Sequence, residues 1–110
     1  MIDYGDGNGN QYFIEQESIE YKPVKPKFSS SGIYDGGDYL KKKITQQQYD
    51  KIASIIKEAI ANKVSHIKNR VKMSGAITMK EGKVVKSCIL SPSSEELNEI
   101  EKLLKDIIKN

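Results

Sequence analysis

Tryptophan is absent, cysteine and histidine occur once each, and the only arginine, Arg70, stands among seventeen lysines. One cysteine excludes an intrachain disulfide and a zinc cluster. Cys88 is followed by Ile89 and Leu90 and reads as a small buried hydrophobe, because a reactive thiolate needs electropositive, exposed surroundings. His66 has no Cys, Ser or Asp motif around it, so no acid–base or nucleophilic set is recognisable. No apolar run approaches the ~20 residues of a membrane-spanning helix. The opening Met1-Ile2-Asp3-Tyr4-Gly5-Asp6 lacks the basic and apolar regions of a signal peptide. These absences point to a non-enzymatic, cytoplasmic protein that needs no cofactor, metal or membrane.

What is present is periodic. Of 110 residues, 37% are hydrophobic and 30% charged, and the apolar ones recur regularly, as in one folded domain over 1–110 rather than a disordered chain. The net charge of +3 is unevenly spread. Residues 1–38 hold seven acids against three lysines, residues 39–90 twelve bases against three acids, and residues 91–110 five acids against three lysines. An anionic partner would meet the middle of the chain. The Lys-, Ile- and Asn-rich composition suits an AT-rich bacterial or phage genome.

The stretch Val71 to Lys80 organises the reading. Val71, Met73, Gly75, Ile77 and Met79 alternate with Lys72, Ser74, Ala76, Thr78 and Lys80, the period of a half-buried strand. A continuous strand from His66 to Lys80 is expected, turning at Glu81-Gly82 into a partner over Lys83 to Leu90. That partner is apolar on both parities, as in a central strand covered on both faces. Upstream, residues 1–11 read as a flexible Gly/Asn/Asp-rich lead-in. Within it, Asp6, Asn8 and Asn10, with Glu17 later, fall at the spacing of a calcium loop, but Gln11 stands where the sharp turn wants glycine. The phase of the apolar residues flips between Ile14 and Ile19, which marks a turn. Asp35-Gly36-Gly37-Asp38 suggests a tight hairpin joining Ile33-Tyr34 to a returning strand over Tyr39 to Ile44. Its two acids, and the missing Gly-Lys-Ser/Thr ending, argue against a phosphate loop.

Two helices are expected. Thr45 and Gln48 form a capping box before the stripe Tyr49, Ile52, Ala53, Ile56, Ala59 and Ile60, ending near Asn62. Ser91-Pro92 opens the second, with Leu97, Ile100, Leu103, Leu104, Ile107 and Ile108 on one face. The fold expected is α+β, a two-layer sandwich of four to five antiparallel strands with both amphipathic helices on one face.

The binding candidates follow. On a strand, Lys68, Arg70 and Lys72 would project in one row about 7 Å apart, with Ser74 in line and Gly75 permitting close approach. Such a row suits phosphate oxygens, which Arg70 alone can grip bidentately. A solvated lysine face explains the same pattern. Tyr34 and Tyr39, bracketing the glycine pair, suit a recognition loop, or equally packing over helix ends. The expectation is a protein that sequesters a small anionic, nucleotide-like ligand, for example a phage protein soaking up a bacterial signalling nucleotide, with a homodimer interface as one place for the pocket. The alternative is a small inhibitor or immunity protein that occludes a protein target such as a toxin or nuclease. Nucleic-acid binding ranks lower, since strong affinity for a duplex requires several phosphate contacts.

Overall fold

The computed structural model describes residues 1–23, 27–29, 32–34 and 39–109, with the backbone alone at 27–29 and 32–34. The fold is α+β in two layers. Strands β1 (Ile2–Gly5), β2 (Gln11–Glu15), β3 (Ser18–Lys22), β4 (Lys27–Ser29), β5 (Gly32–Tyr34) and β6 (Leu40–Lys43) precede α1 (Gln46–Ala61); β7 (Gly75–Glu81), β8 (Val84–Leu90) and α2 (Glu95–Lys109) follow. Six strands form one antiparallel sheet in the order β6, β3, β2, β1, β7, β8, and β4 pairs with β5 alone.

Alternation along each strand decides what is buried. Two cross-strand rows face the helices: Ile19, Ile14, Ile2 and Met79, and beside them Tyr21, Tyr12, Tyr4 and Ile77. All eight are buried with Ile52, Ile56 and Ala59 of α1 and Leu97, Ile100 and Leu104 of α2. The tyrosines form a tilted aromatic ladder, with ring centroids 6.0 Å apart from Tyr4 to Tyr12 and 4.9 Å from Tyr12 to Tyr21. The Tyr4 hydroxyl donates to Glu101 of α2 at 3.0 Å, tying sheet to helix. Burial, then the Glu101 charge, pushes the Tyr4 phenol well above its usual range.

Both helix starts are chemical. The Thr45 side chain accepts from the Gln48 N–H while the Gln48 side chain accepts from the Thr45 N–H, the expected capping box. The second helix begins later than Ser91-Pro92 suggests. Ser94 caps it, its Oγ accepting from the Leu97 N–H at 3.4 Å and donating to the Ser91 carbonyl at 2.8 Å.

Several expectations are corrected. Residues 2–5 are no flexible lead-in: β1 lies between β2 and β7, with Ile2 and Tyr4 fully buried. The expected strand over 66–80 begins only at Gly75. Before it, His66 bridges Leu90, and Val71–Ser74 is a turn in which Met73 takes a positive φ of 68°. Strand β8 is not central but an edge, so its apolar residues on both parities are not covered on both faces. The returning strand, β6, pairs with β3 rather than with β5. The Asp35-Gly36-Gly37-Asp38 hairpin lies outside the described residues. The sheet exceeds the expected strand number by one, because β1 was hidden in a polar, glycine-rich stretch.

Candidate functional site

The sheet face turned away from the helices carries the polar half of β1, β2, β3 and β7, with Val85, Ser87 and Ile89 of β8. One row across it reads Lys41, Glu20, Phe13, Asp3, Thr78 and Ser87; the next reads Lys22, Gln11, Gly5, Ala76 and Ile89. Among the described residues no helix covers this face, but residues 66–74 cross one end of it as a strap. The strap starts at the β8 edge, where the Ile67 N–H donates to the Ile89 carbonyl at 2.9 Å. It ends against the β1–β2 loop, where a Cβ on Gly7 would stand 2.7 Å from the Met73 carbonyl oxygen.

Local hydrogen bonds hold this end of the strap and the loop it meets. The Ser74 Oγ, fully buried, donates to the Val71 carbonyl at 2.7 Å and accepts from the Val71 N–H at 3.1 Å. This closes the turn and holds Met73 in a left-handed conformation that costs a non-glycine residue about 1–2 kcal/mol. In the facing loop, the buried Asp6 carboxylate accepts from the N–H groups of Asn8 and Asn10, each at 2.9 Å, and from the Asn10 side chain at 3.0 Å. That network accounts for the Asp/Asn spacing that resembles a calcium loop: Asp6 organises a turn. Among the described residues no cluster of His, Cys, Asp or Glu has the geometry to hold a metal ion.

The strap brings two cations over the sheet. Arg70 lies across Gly5, its Nη1 3.5 Å from where a Cβ would stand, and its Nη2 donates to the Asp6 carbonyl at 3.4 Å. Lys68 lines a shallow hollow of about 340 Å³ with Ile67, Ala76, Thr78, Ser87 and Ile89. Neither forms an ion pair among the described residues, where the salt bridge is Lys57 to Glu81 at 3.2 Å. An apolar floor, two hydroxyls and two cations without a carboxylate partner among the described residues thus share one open surface. A flat ring could rest on Ala76 and Ile89 while an anionic group meets Lys68 and Arg70.

The predicted site residues separate accordingly. Lys68 and Arg70 both sit on the strap and not in a strand row, Lys68 at the hollow and Arg70 at Gly5. Lys72 sits exposed at the turn, and no row with constant spacing exists. Ser74 is buried in its turn, not on a polar face. Gly75 faces the core, where an added Cβ would meet Leu97 Cδ1 at 2.3 Å and Tyr4 Oη at 3.1 Å; its small size serves packing instead of ligand approach. Tyr39 is exposed and donates to the Glu20 carboxylate on the open face, a bond that raises its phenol pKa. Tyr34 belongs to β5 by its backbone, and its side chain lies outside the described residues.

Sequence reasoning missed Gly5, Phe13 and Lys22. The Lys22 ammonium stands 4.9 Å from the Phe13 ring centroid, a cation–π contact on the open face. Alternation about Tyr12 and Ile14 would have placed Phe13 there. Asp3, also on this face, has its carboxyl pKa raised by burial against the opposing pull of Lys80. His66 is engaged elsewhere, and Cys88 borders the hollow but packs against the core. The His66 Nε2 is 2.8 Å from the Ala59 carbonyl at the end of α1. Cys88 is half-buried against the core, and burial raises its thiol pKa, opposite to what a nucleophile needs.

Among the described residues no helix is long and apolar enough to cross a membrane. Comparison with protein-family models, with curated proteins and with solved structures finds no match.

Proposed function

We propose that the open sheet face binds a small anionic, nucleotide-like ligand without turning it over, so that the protein acts by sequestration. The observation that carries this reading is the pair Lys68 and Arg70 on the strap, free of carboxylate partners among the described residues, Lys68 lining a hollow with Ala76 and Ile89 and Arg70 resting at Gly5, the cross-strand neighbour of Ala76. The Arg70 guanidinium rests on the sheet at Gly5, its Nη1 at ordinary contact distance from where a Cβ would stand. Thr78 and Ser87 supply hydroxyls for sugar or phosphate oxygens, and Ile67, Ala76 and Ile89 supply apolar contact for a ring. Although Cys88 borders the hollow, it packs against the core, and the His66 ring meets the Ala59 carbonyl, an arrangement that supports binding without chemistry.

Native mass spectrometry on freshly purified protein, followed by mass analysis of what denaturation releases, tests the reading. Wild-type protein should carry or take up a nucleotide-sized anion. Arg70→Ala should weaken that binding about 10- to 100-fold, the loss of one charge-assisted contact of ~1.5–3 kcal/mol, with an unchanged unfolding midpoint. Equal retention by Arg70→Ala would remove this face from consideration.

A further inference from the structure

The two edges of the six-stranded sheet are built differently. Strand β6 is four residues long, three of them lysine, and Lys42 Nζ donates to the Ile107 carbonyl of α2 at 3.0 Å. Short length and dense lysine protect an edge from pairing with other chains. Strand β8 is seven residues long and, among the described residues, its outer edge is hydrogen-bonded only at its C-terminal end, where Ile89 O accepts from Ile67 and the Ser91 N–H donates to Ser65 O. In an antiparallel strand both main-chain groups of a residue point to one side, and the side alternates. The bond at Ile89 therefore puts the N–H and C=O of Val85 and Ser87 on the same outer edge, and no hydrogen bond occupies them among the described residues. The flanking side chains do not guard this edge: Val84, towards the helices, is 55% exposed and Val85, towards the open face, is 58% exposed.

We propose that β8 pairs antiparallel with β8 of a second copy of this chain, about a two-fold axis through Val85. Charge and geometry select this register. An axis through Lys86 would set two lysines directly opposite one another, which is repulsive. An axis through Ser87 would pair Val85 with the partner's Ile89, whose carbonyl is already taken by Ile67. The Val85 axis sets Val85 against its own counterpart, Val84 against the alkyl stem of the partner's Lys86, and Lys83 against the partner's Ser87. Because Glu81 is the cross-strand neighbour of Val84, the partner's Lys86 then shares a row with a carboxylate. The helix-side hollow of about 450 Å³ lined by Ile60, Met79 and Val84 borders this seam, so the second copy also shields apolar surface. The pairing is isologous and closes at two chains. If the anion reading holds, one consequence rests on it: the partner's Lys83 falls beside Ser87, at the rim of the Lys68 hollow.

Sedimentation velocity from low to high micromolar protein, together with cysteine cross-linking, tests the dimer without any ligand. Wild type should shift from monomer to dimer, and Val85→Pro, which removes the outward N–H and reshapes the edge, should remain monomeric. In a Cys88→Ala background, Val85→Cys should oxidise to a disulfide-linked dimer, since directly opposed hydrogen-bonded residues have Cα atoms about 5.5 Å apart, within disulfide range. Val84→Cys in the same background should not, because its counterpart lies diagonally across the seam. A wild-type chain that stays monomeric throughout overturns the proposal. So does Val84→Cys cross-linking as readily as Val85→Cys, a comparison that stands even where Val85→Pro does not fold.

Discussion

The two faces of the sheet come from the same strands and alternate residue by residue, yet they obey different constraints. Towards the helices, Ile2, Tyr4, Tyr12, Ile14, Ile77 and Met79 are locked into rows and leave almost no surface. On the other side their immediate neighbours, Asp3, Gly5, Phe13, Ala76 and Thr78, are half-buried and free of any covering helix. The first face is fixed by volume, where even one methyl group is felt. The second is fixed by charge and by what the strap lays upon it. A substitution should therefore act on stability or on binding according to the parity of its position.

The sharpest contrast is Gly75 against Arg70, five residues apart in sequence. Gly75→Val drives a branched side chain into Leu97 and Tyr4 and should cost about 2–3 kcal/mol by overpacking, read as a lower urea midpoint at unchanged slope. Arg70→Ala, on the exposed strap, should stay within ~0.5 kcal/mol of wild type in the same titration. Equal losses at the two positions would break the division between faces.

This division also explains what the sequence made legible. Apolar periodicity reports burial, so α1 with its Thr45–Gln48 box, α2, the turn between Ile14 and Ile19, and the buried parity of Ile77 and Met79 could all be read, while Ile2 and Tyr4 of β1 could not. Periodicity failed over 66–74, where Val71 and Met73 keep the alternation of a strand but are 52% and 46% exposed in an irregular strap. What ends the strand there is the Ser74 hydroxyl closing on Val71 and the Gly7 contact with Met73, one local and one long-range, and neither leaves a pattern in the chain. The same limit hid the site. Lys68 and Arg70 stand out by composition, but their company, Gly5 and the Ala76–Ile89 floor, comes from strands β1, β7 and β8 that only the fold brings together. Edge or centre is likewise a property of the sheet, so the valines of β8 gave no sign of their exposure.

A smaller effect should sharpen the electrostatic half of the comparison. Asp3 is the cross-strand neighbour of Thr78, which lines the Lys68 hollow. Its negative charge opposes an anion there. Asp3→Asn should tighten binding about two- to fivefold, the ~0.4–1 kcal/mol expected of one charge acting across several ångströms of partly solvated protein, as measured by isothermal titration at low salt. Burial holds the Asp3 pKa above its usual value, so the folded state takes up this proton more readily than the unfolded chain. Its contribution to stability is greatest at acid pH and is lost as the pH rises through that raised value. The asparagine variant should lack this dependence; weaker anion binding by Asp3→Asn would place the ligand elsewhere.

The least effect is expected where the two layers meet. Glu96, in the first turn of α2, accepts from the Ser65 hydroxyl and, at 2.9 Å, from the Asn62 side chain, anchoring the segment that leads into the strap. The Ser65 bond first, then the Asn62 bond, lowers its pKa. Here the sign is opposite to that of Asp3: the unfolded chain binds the proton more readily. The stabilisation is therefore complete above the ordinary glutamate range and is lost as the pH falls through the lowered folded value. Glu96→Gln should flatten this acid limb of the stability curve. Because Glu96 holds the root of the strap and not its tip, hydrogen exchange should report faster opening at 65–70 in the variant, while the amides of β1 and β7 keep their protection. Uniform loss of protection across the sheet would mean that strap and core open as one unit, and the two faces would then not be separable by mutation.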